Sequence, residues 1–307
     1  MLEPLIWFGF GTTGQTAFDI LLNPFQLYTL PLADWISTGV NLFVDNFRPL
    51  FQAIRVPING FLNSIELLLI GIPPSIFLLG VGLLAWKIAG RGIAIYSIVA
   101  MTLIGFVGLW QPAMVTLALV LTAVAFCITI GIPIGIFCGR NDRLEMIVQP
   151  ILDTMQTLPR FVYLVPVVML FGIGEVPGFI ATVIVAAPPL IRLTNLGLRQ
   201  VSPGIGEAAT ALGLNSLQAL WLVYIPLAMP SILAGINQTI VFALAMSVVV
   251  ALIAVPGLGL VILEGVGRLD VGTAAVGGIA IALLAIMVDR ITKGIAGKSK
   301  FSALKYR

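Results

Sequence analysis

An all-α, polytopic membrane protein is the fold class this sequence predicts, and three observations carry the prediction. Hydrophobic residues make up 59% of the 307 residues and charged ones 9%, at a mean hydropathy of +1.11. That leaves too few polar groups to cover a water-facing surface. Apolar runs long enough to cross a hydrocarbon core of about 30 Å recur along the chain. The 32 Gly and 19 Pro would break a soluble bundle, yet membrane helices tolerate both, because neighbouring segments satisfy the freed backbone groups. A single polytopic domain fits this length better than two globular ones.

Residues 1–60 hold only short apolar runs, broken by Pro24, Pro31 and Pro49, and no Lys or Arg precedes Arg48. The basic region of a cleavable signal is missing, so no cleavage is expected; this part is expected to be an extracytoplasmic, partly interfacial segment packed on the first span. Residues 61–292 form the membrane domain, with seven spans expected near 68–88, 92–110, 113–138, 158–174, 176–194, 228–254 and 271–291. Pro73 and Pro74 blur the first of these, and residues 61–71 equally suit an amphipathic helix in the interface. Gly172, Gly174 and Pro177 interrupt the fourth and fifth, where a hairpin or re-entrant shape fits as well as two spans. Residues 293–307 are a basic tail, KGIAGKSKFSALKYR from Lys293, suited to anionic lipid headgroups.

The cations are unevenly placed. On this map one set of loops holds Lys87, Arg91, Arg140, Arg143, Arg160, Arg192, Arg199 and the tail from Arg290, which is 13 of the 16 Lys and Arg. Arg48, Arg55 and Arg268 fall on the other side. Basic residues mark the cytoplasmic face, so the C-terminus and the loop 195–226 are expected there. The net charge of +3 is mostly this asymmetry and calls for no nucleic-acid partner.

Several motifs fail on context, and several absences restrict the mechanism. Gly9-Phe10-Gly11-Thr12-Thr13-Gly14 fits G-x-G-x-x-G, but no βαβ unit surrounds it. Cys127 and Cys138 lie on one span in a chain with no His, which indicates apolar fillers rather than a disulfide or metal site. Without His, general acid–base or nucleophilic catalysis has little to work with, so an enzyme is not expected. Proton carriers place a carboxylate deep in the membrane, whereas Glu66, Glu175, Glu264, Asp270 and Asp289 map to span ends or loops. Energy is therefore expected from outside the chain. Sodium coupling through carbonyls and hydroxyls escapes this argument and leaves a secondary carrier as the alternative.

Energy from outside needs a cytoplasmic handle, and EAATALGLNSLQALWLVYIP, from Glu207 to Pro226, has the composition of one. Glu207 is expected to open a short helix at its positive end. Gly213 stops it, Asn215 or Ser216 caps a second helix, and Pro226 ends that one. Ala208, Ala209, Ala211 and Gly213 offer a small surface for close approach; a plain Ala-rich loop fits the same residues.

Glu207-Ala208-Ala209, three residues, Gly213, nine residues, then Val223-Tyr224-Ile225-Pro226 resembles the EAA loop of binding-protein-dependent ABC importers, E-A-A-x3-G-x9-I-x-L-P. Val for Ile and Ile for Leu are the departures, and both stay apolar. The stretches LDTMQTLPRFVYLVPVVMLFGIGEVPG, APPLIRLTNLGLRQV and AMPSILAGINQTIVFALAMSVVVALIAVPGLGLVIL are similar to permeases of the glycine betaine, proline betaine and choline branch, from about residue 60 to 292.

The resemblance implies a type I (MetI-like) importer fold in a bacterial inner membrane and a homodimeric pore. It implies an ABC ATPase partner that binds ATP and Mg, with no cofactor in this chain, and an extracytoplasmic substrate-binding protein. Glu207, Ala208, Ala209, Gly213 and Pro226 would form the coupling helix region. Gln156, Thr157, Tyr163, Asn237, Thr239, Met246 and Ser247 are polar, aromatic or soft within or beside spans; they either line the route of a small quaternary amine or bond and pack between helices. Gly257 and Gly259 either let two chains approach at an outer gate or shape a turn.

Overall fold

The computed structural model describes residues 30–298. The Gly9–Gly14 motif, residues 1–29 of the expected interfacial segment and the end of the basic tail lie outside the described residues. Every regular element among those described is helical: α1 (Leu32–Gly71), α2 (Pro74–Ala89), α3 (Arg91–Phe106), α4 (Trp110–Arg140), α5 (Asp142–Thr157), α6 (Leu164–Phe171), α7 (Glu175–Arg199), α8 (Pro203–Ala211), α9 (Ser216–Ala219), α10 (Ile225–Val249), α11 (Leu258–Gly267) and α12 (Val271–Lys298).

Five helical stretches are long and apolar enough to cross a membrane, namely α1, α4, α7, Ser216–Ile253 and Val271–Ile295. The bent pair α5–α6 makes a sixth, while α2 and α3 are apolar but only 16 residues each. This roughly agrees with the expected number of about seven helices. Two boundaries do not agree. The expected span 68–88 is divided at Gly71–Pro73, because α1 runs on to Gly71 and Pro74 starts α2 as a helix-first proline. The expected span 158–174 begins far earlier, at Asp142, and is bent by 107°. Its first half, DRLEMIVQPILDTMQT, carries enough charge to hide from a hydropathy average.

At the centre, α7 packs against α4 on one side and α10 on the other. Lipid tails are as apolar as Leu, so membrane helices associate through close van der Waals contact, and small residues let backbones approach. Gly131, Gly135 and Gly139 make such a seam on α4. A Cβ on Gly135 would stand 2.6 Å from Thr194 Cβ and 2.8 Å from the Ile191 carbonyl oxygen; one on Gly139 would stand 3.0 Å from Leu198 Cβ. Gly197 and Gly235 serve the α7–α10 seam, against Ser231 and Leu190. Met101, Met114, Leu190 and Leu284 are fully buried in the core. Many apolar side chains elsewhere stay exposed, among them Leu79, Ile95, Phe137 and Ile279, as a lipid-facing surface requires.

These contacts set the chain direction. α7 and α10 run antiparallel, with Gly197 beside Ser231, Leu190 beside Gly235, and Thr239 Oγ1 donating to the Ala186 carbonyl at 2.9 Å. At the far end of α10, α11 packs on Ser247, and the Leu258 amide donates to Thr116 Oγ1 at 2.8 Å. α12 then starts beside α11, with Gly265 against Ala274, and returns until Gly294 meets Ala89. Arg140, Arg143, Arg199, Lys293 and the α2–α3 turn thereby share the end of the bundle that carries α8 and α9. Gly257 shapes a turn, whereas Gly259 lies within α11 against the α10 backbone. Gly257 has φ +123° at the start of α11, and the space above Gly259 is filled by this chain's own Ser247 carbonyl.

Candidate coupling loop and broken span

The loop after α7 folds into two short helices at a sharp bend. α8 starts at Pro203, whose missing N–H and preset φ suit a first helical position, not at Glu207 as the sequence suggests; Glu207 sits mid-helix and exposed. Its end is as expected. Gly213 lies at φ +81°, the Gly213 amide donates to the Thr210 carbonyl at 2.9 Å, and the Leu214 amide to that of Ala209 at 3.1 Å. This is a Schellman ending, which uses the last orphan carbonyls and needs a left-handed residue. Asn215 then caps α9: its Oδ1 accepts from the Leu217 and Gln218 amides, and Gln218 reciprocates on the Asn215 amide.

Two expectations about this loop are corrected. The small surface includes Ala208 and Ala211 but not Ala209, which is buried at 4% exposure because it faces the protein side of a nine-residue helix. The second helix does not stop at Pro226. A single π turn, Leu220–Tyr224, lets the Ile225 amide donate to Leu220 five residues back, and Pro226 follows as the first-turn proline of α10. The shifted register absorbs the missing N–H, so the helix enters the membrane unbroken. Leu212 is 82% exposed at the tip, and a cavity of about 450 Å³ lies behind the loop, lined by Arg140, Leu198, Thr210 and Tyr224 among others.

Charged groups tie this loop to α5. Arg140 Nη2 donates to Ser216 Oγ, joining the end of α4 to the start of α9. Arg199, near the end of α7, pairs with Asp142 at 2.8 Å and Glu145 at 2.7 Å, and donates to Asn195 Oδ1 and the Cys138 carbonyl, each at 2.9 Å. Asn195 in turn donates to Glu145 at 2.7 Å. Further along, Arg192 pairs with Asp153 at 2.6 Å. With both partners partly wet, each bond has modest strength. Their value is geometric, since a guanidinium fork fixes orientation.

α5 ends where Leu158 and Pro159 leave helical geometry, and the chain turns through Arg160–Tyr163 into α6. Helix-breaking prolines orphan carbonyls, and neighbouring side chains supply the donors. Pro189 has no N–H for the Val185 carbonyl, and Gln156 Nε2 donates to it at 3.2 Å. Pro159 has none for Met155, and Tyr163 Oη donates there at 3.0 Å. Gln156→Leu is expected to cost about 1 kcal/mol, read as an earlier thermal transition of the purified protein. A change in uptake without a change in stability would assign Gln156 to the path instead.

The remaining predicted path residues divide by burial. Thr239, Met246 and Ser247 are buried in the interior; the hydroxyls of Thr239 and Ser247 bond helix carbonyls, and Met246 fills the core. Asn237 is half-buried and reaches Asp289 on α12. Gln156 and Thr157 are exposed at the break. Hydropathy does not separate these cases, because a buried hydroxyl satisfied by its own or a neighbouring helix reads the same in sequence as one facing a pore.

Residues 131–299 match the family model described as a binding-protein-dependent transport system inner membrane component. The chain belongs to this permease family. The permease is 49% identical over 280 residues to the glycine betaine/proline betaine transport system permease protein ProW of Escherichia coli, covering 91% of this chain and 79% of the relative. It is 44% identical over 275 residues to the glycine betaine transport system permease protein OpuAB of Bacillus subtilis, covering 90% and 98%. Among solved structures, an inward-facing MetNI methionine ABC transporter chain superposes at a TM-score of 0.53 and 21% identity, covering 59% of the permease and 92% of that chain. That likeness concerns the fold.

Sequence reasoning misses the network around Arg199 in this permease, as well as the contact of Arg160 with Phe242 on α10. A signal for the first is present. Asp142 and Glu145 lie in the first turn of α5, and Arg199 closes α7, but nothing local says that the two ends meet.

Proposed function

We propose that the permease is the membrane subunit of an ATP-driven importer and forms the translocation path for a small quaternary amine such as glycine betaine, proline betaine or choline. The observation that carries this reading is the exposed α8–α9 elbow with Glu207 and Leu212 outward, held by Arg140 to the end of α4 and rooted at Arg199, which pairs with the first turn of α5 in the broken α5–α6 span. A knob that an ATPase can grip is thereby tied to an element that can open or close. Two copies surround the path, each with its C-terminus and elbow in the cytoplasm. The gathering of basic residues at the elbow end supports that orientation. ATP and Mg sit on the partner, and an extracytoplasmic receptor supplies the substrate. Nucleotide at one end and loaded receptor at the other bias a two-state permease by differential binding.

Uptake in proteoliposomes tests this. Import of labelled glycine betaine should require ATP on the elbow side and loaded receptor on the other. Import driven by a sodium gradient alone would establish a secondary carrier instead.

A further inference from the structure

Arg160 is expected from the sequence in a cytoplasmic loop, and the structure places it elsewhere. α5 begins at the elbow end, where Glu145 meets Asn195, passes Asp153 beside Arg192, and at Gln156 reaches Val185, near the middle of the 25-residue α7. Arg160 follows at the break. Its guanidinium carbon lies 5.0 Å from the ring centroid of Phe242 on α10, level with the middle of the bundle, since Thr239 one turn earlier bonds Ala186. The side chain is exposed, and no carboxylate pairs with it among the described residues. The nearest carboxylate along α5, Asp153, is held by Arg192.

An exposed cation at this depth has few places to go. Either interface is roughly 15 Å away, half of a hydrocarbon core, beyond the reach of an arginine side chain. Facing lipid would cost at least about 2.5–3.5 kcal/mol, so such residues face a watered cavity or a partner. The Phe242 face holds the planar guanidinium without using its donors. A bidentate fork with free N–H groups in a path is a carboxylate receptor. Phe161, adjacent and 60% exposed, offers an aromatic face to an ammonium.

We propose that Arg160, seated on Phe242 at the break between α5 and α6, binds the carboxylate of the translocating amine and makes the path selective for zwitterionic betaines over carboxylate-free cations such as choline. Choline brings a positive charge beside Arg160 with nothing to offset it. A betaine brings its own counter-charge. The assignment rests on the importer reading above and adds that selection continues within the membrane after the receptor has chosen.

The test uses the complete complex of permease, ATPase and receptor in proteoliposomes. Uptake of labelled glycine betaine and of labelled choline is measured per loaded receptor for the wild type, Arg160→Gln and Arg160→Lys. Glutamine should lower the betaine-to-choline ratio about tenfold through loss of a charge-assisted bond, and lysine, which keeps the charge but neither the fork nor the ring stacking, should restore it only in part. The ratio is internal to each preparation, so incomplete folding cancels. An unchanged ratio in Arg160→Gln, or a wild type with no preference for betaine, overturns the assignment. Wild-type uptake that ignores ATP overturns the importer reading itself, whatever the ratio does.

Discussion

Gly213→Val is expected to cost the permease its ATPase while leaving its membrane domain folded. Gly213 holds φ +81°, and a Cβ added there would meet nothing within 4 Å, so the penalty is conformational rather than a clash. A left-handed backbone costs an ordinary residue roughly 1–2 kcal/mol and a β-branched one more. The elbow relieves this by giving up its Schellman ending, which swings α8 off α9. Because α8 is nine residues long and mostly exposed, the change stays local. On the proposed coupling mechanism the ATPase meets Glu207, Ala208 and Leu212 in one arrangement, and this swing disrupts it. Losing a central contact of this kind costs about 2 kcal/mol or more, enough to reduce the co-purified ATPase over tenfold. Glu207→Lys should do the same through charge alone. Both variants keeping a full complement of ATPase would remove the elbow from the coupling mechanism.

Gly259→Ala should have the largest effect on stability. The added Cβ would overlap the Ser247 carbonyl oxygen and stand 2.7 Å from the carbonyl carbon and 2.9 Å from Val248 Cα. All three are backbone atoms of α10, so no rotamer change can make room. α11 must lift away, and with it go the bond from the Leu258 amide to Thr116 and the seating of α12. Overpacking typically costs about 1–3 kcal/mol when side chains can yield; with a rigid backbone in the way, about 3 kcal/mol or more is expected. Gly278→Ala is the control, because nothing lies within 4 Å of its Cβ and alanine favours the helix by roughly 0.5–1 kcal/mol. Thermal unfolding of the two variants in lipid nanodiscs should move in opposite directions. A Gly259→Ala protein as stable as the wild type would show that α11 is loosely held.

Between these extremes lie the places where sequence reasoning and structure part. Glu207 looks like the start of α8 because it is a good first-turn residue, but Pro203 is a better first residue and comes earlier. Pro226 looks like a terminus because a proline removes a hydrogen bond, and a π turn upstream makes that bond unnecessary. The elbow's bend, in contrast, is legible in Gly213 and Asn215, since a left-handed stop and a side-chain cap are local chemistry. Thr239 and Ser247 show the converse. Their hydroxyls suggest a path, yet their partners are carbonyls of the same or an adjacent helix.

What the sequence determined by itself was whatever depends on composition and short spacing: a helical membrane protein, its cation asymmetry, and the elbow whose turn residues spell it out. The tertiary structure alone decided that α5 packs along α7 despite its charges, that Gln156 and Tyr163 serve carbonyls orphaned by distant or nearby prolines, and that Arg160 lies over Phe242, level with the middle of α7. The physical reason is that burial depth and hydrogen-bond satisfaction are properties of pairs of residues far apart along the chain. Hydropathy is summed over neighbours in sequence and cannot register them.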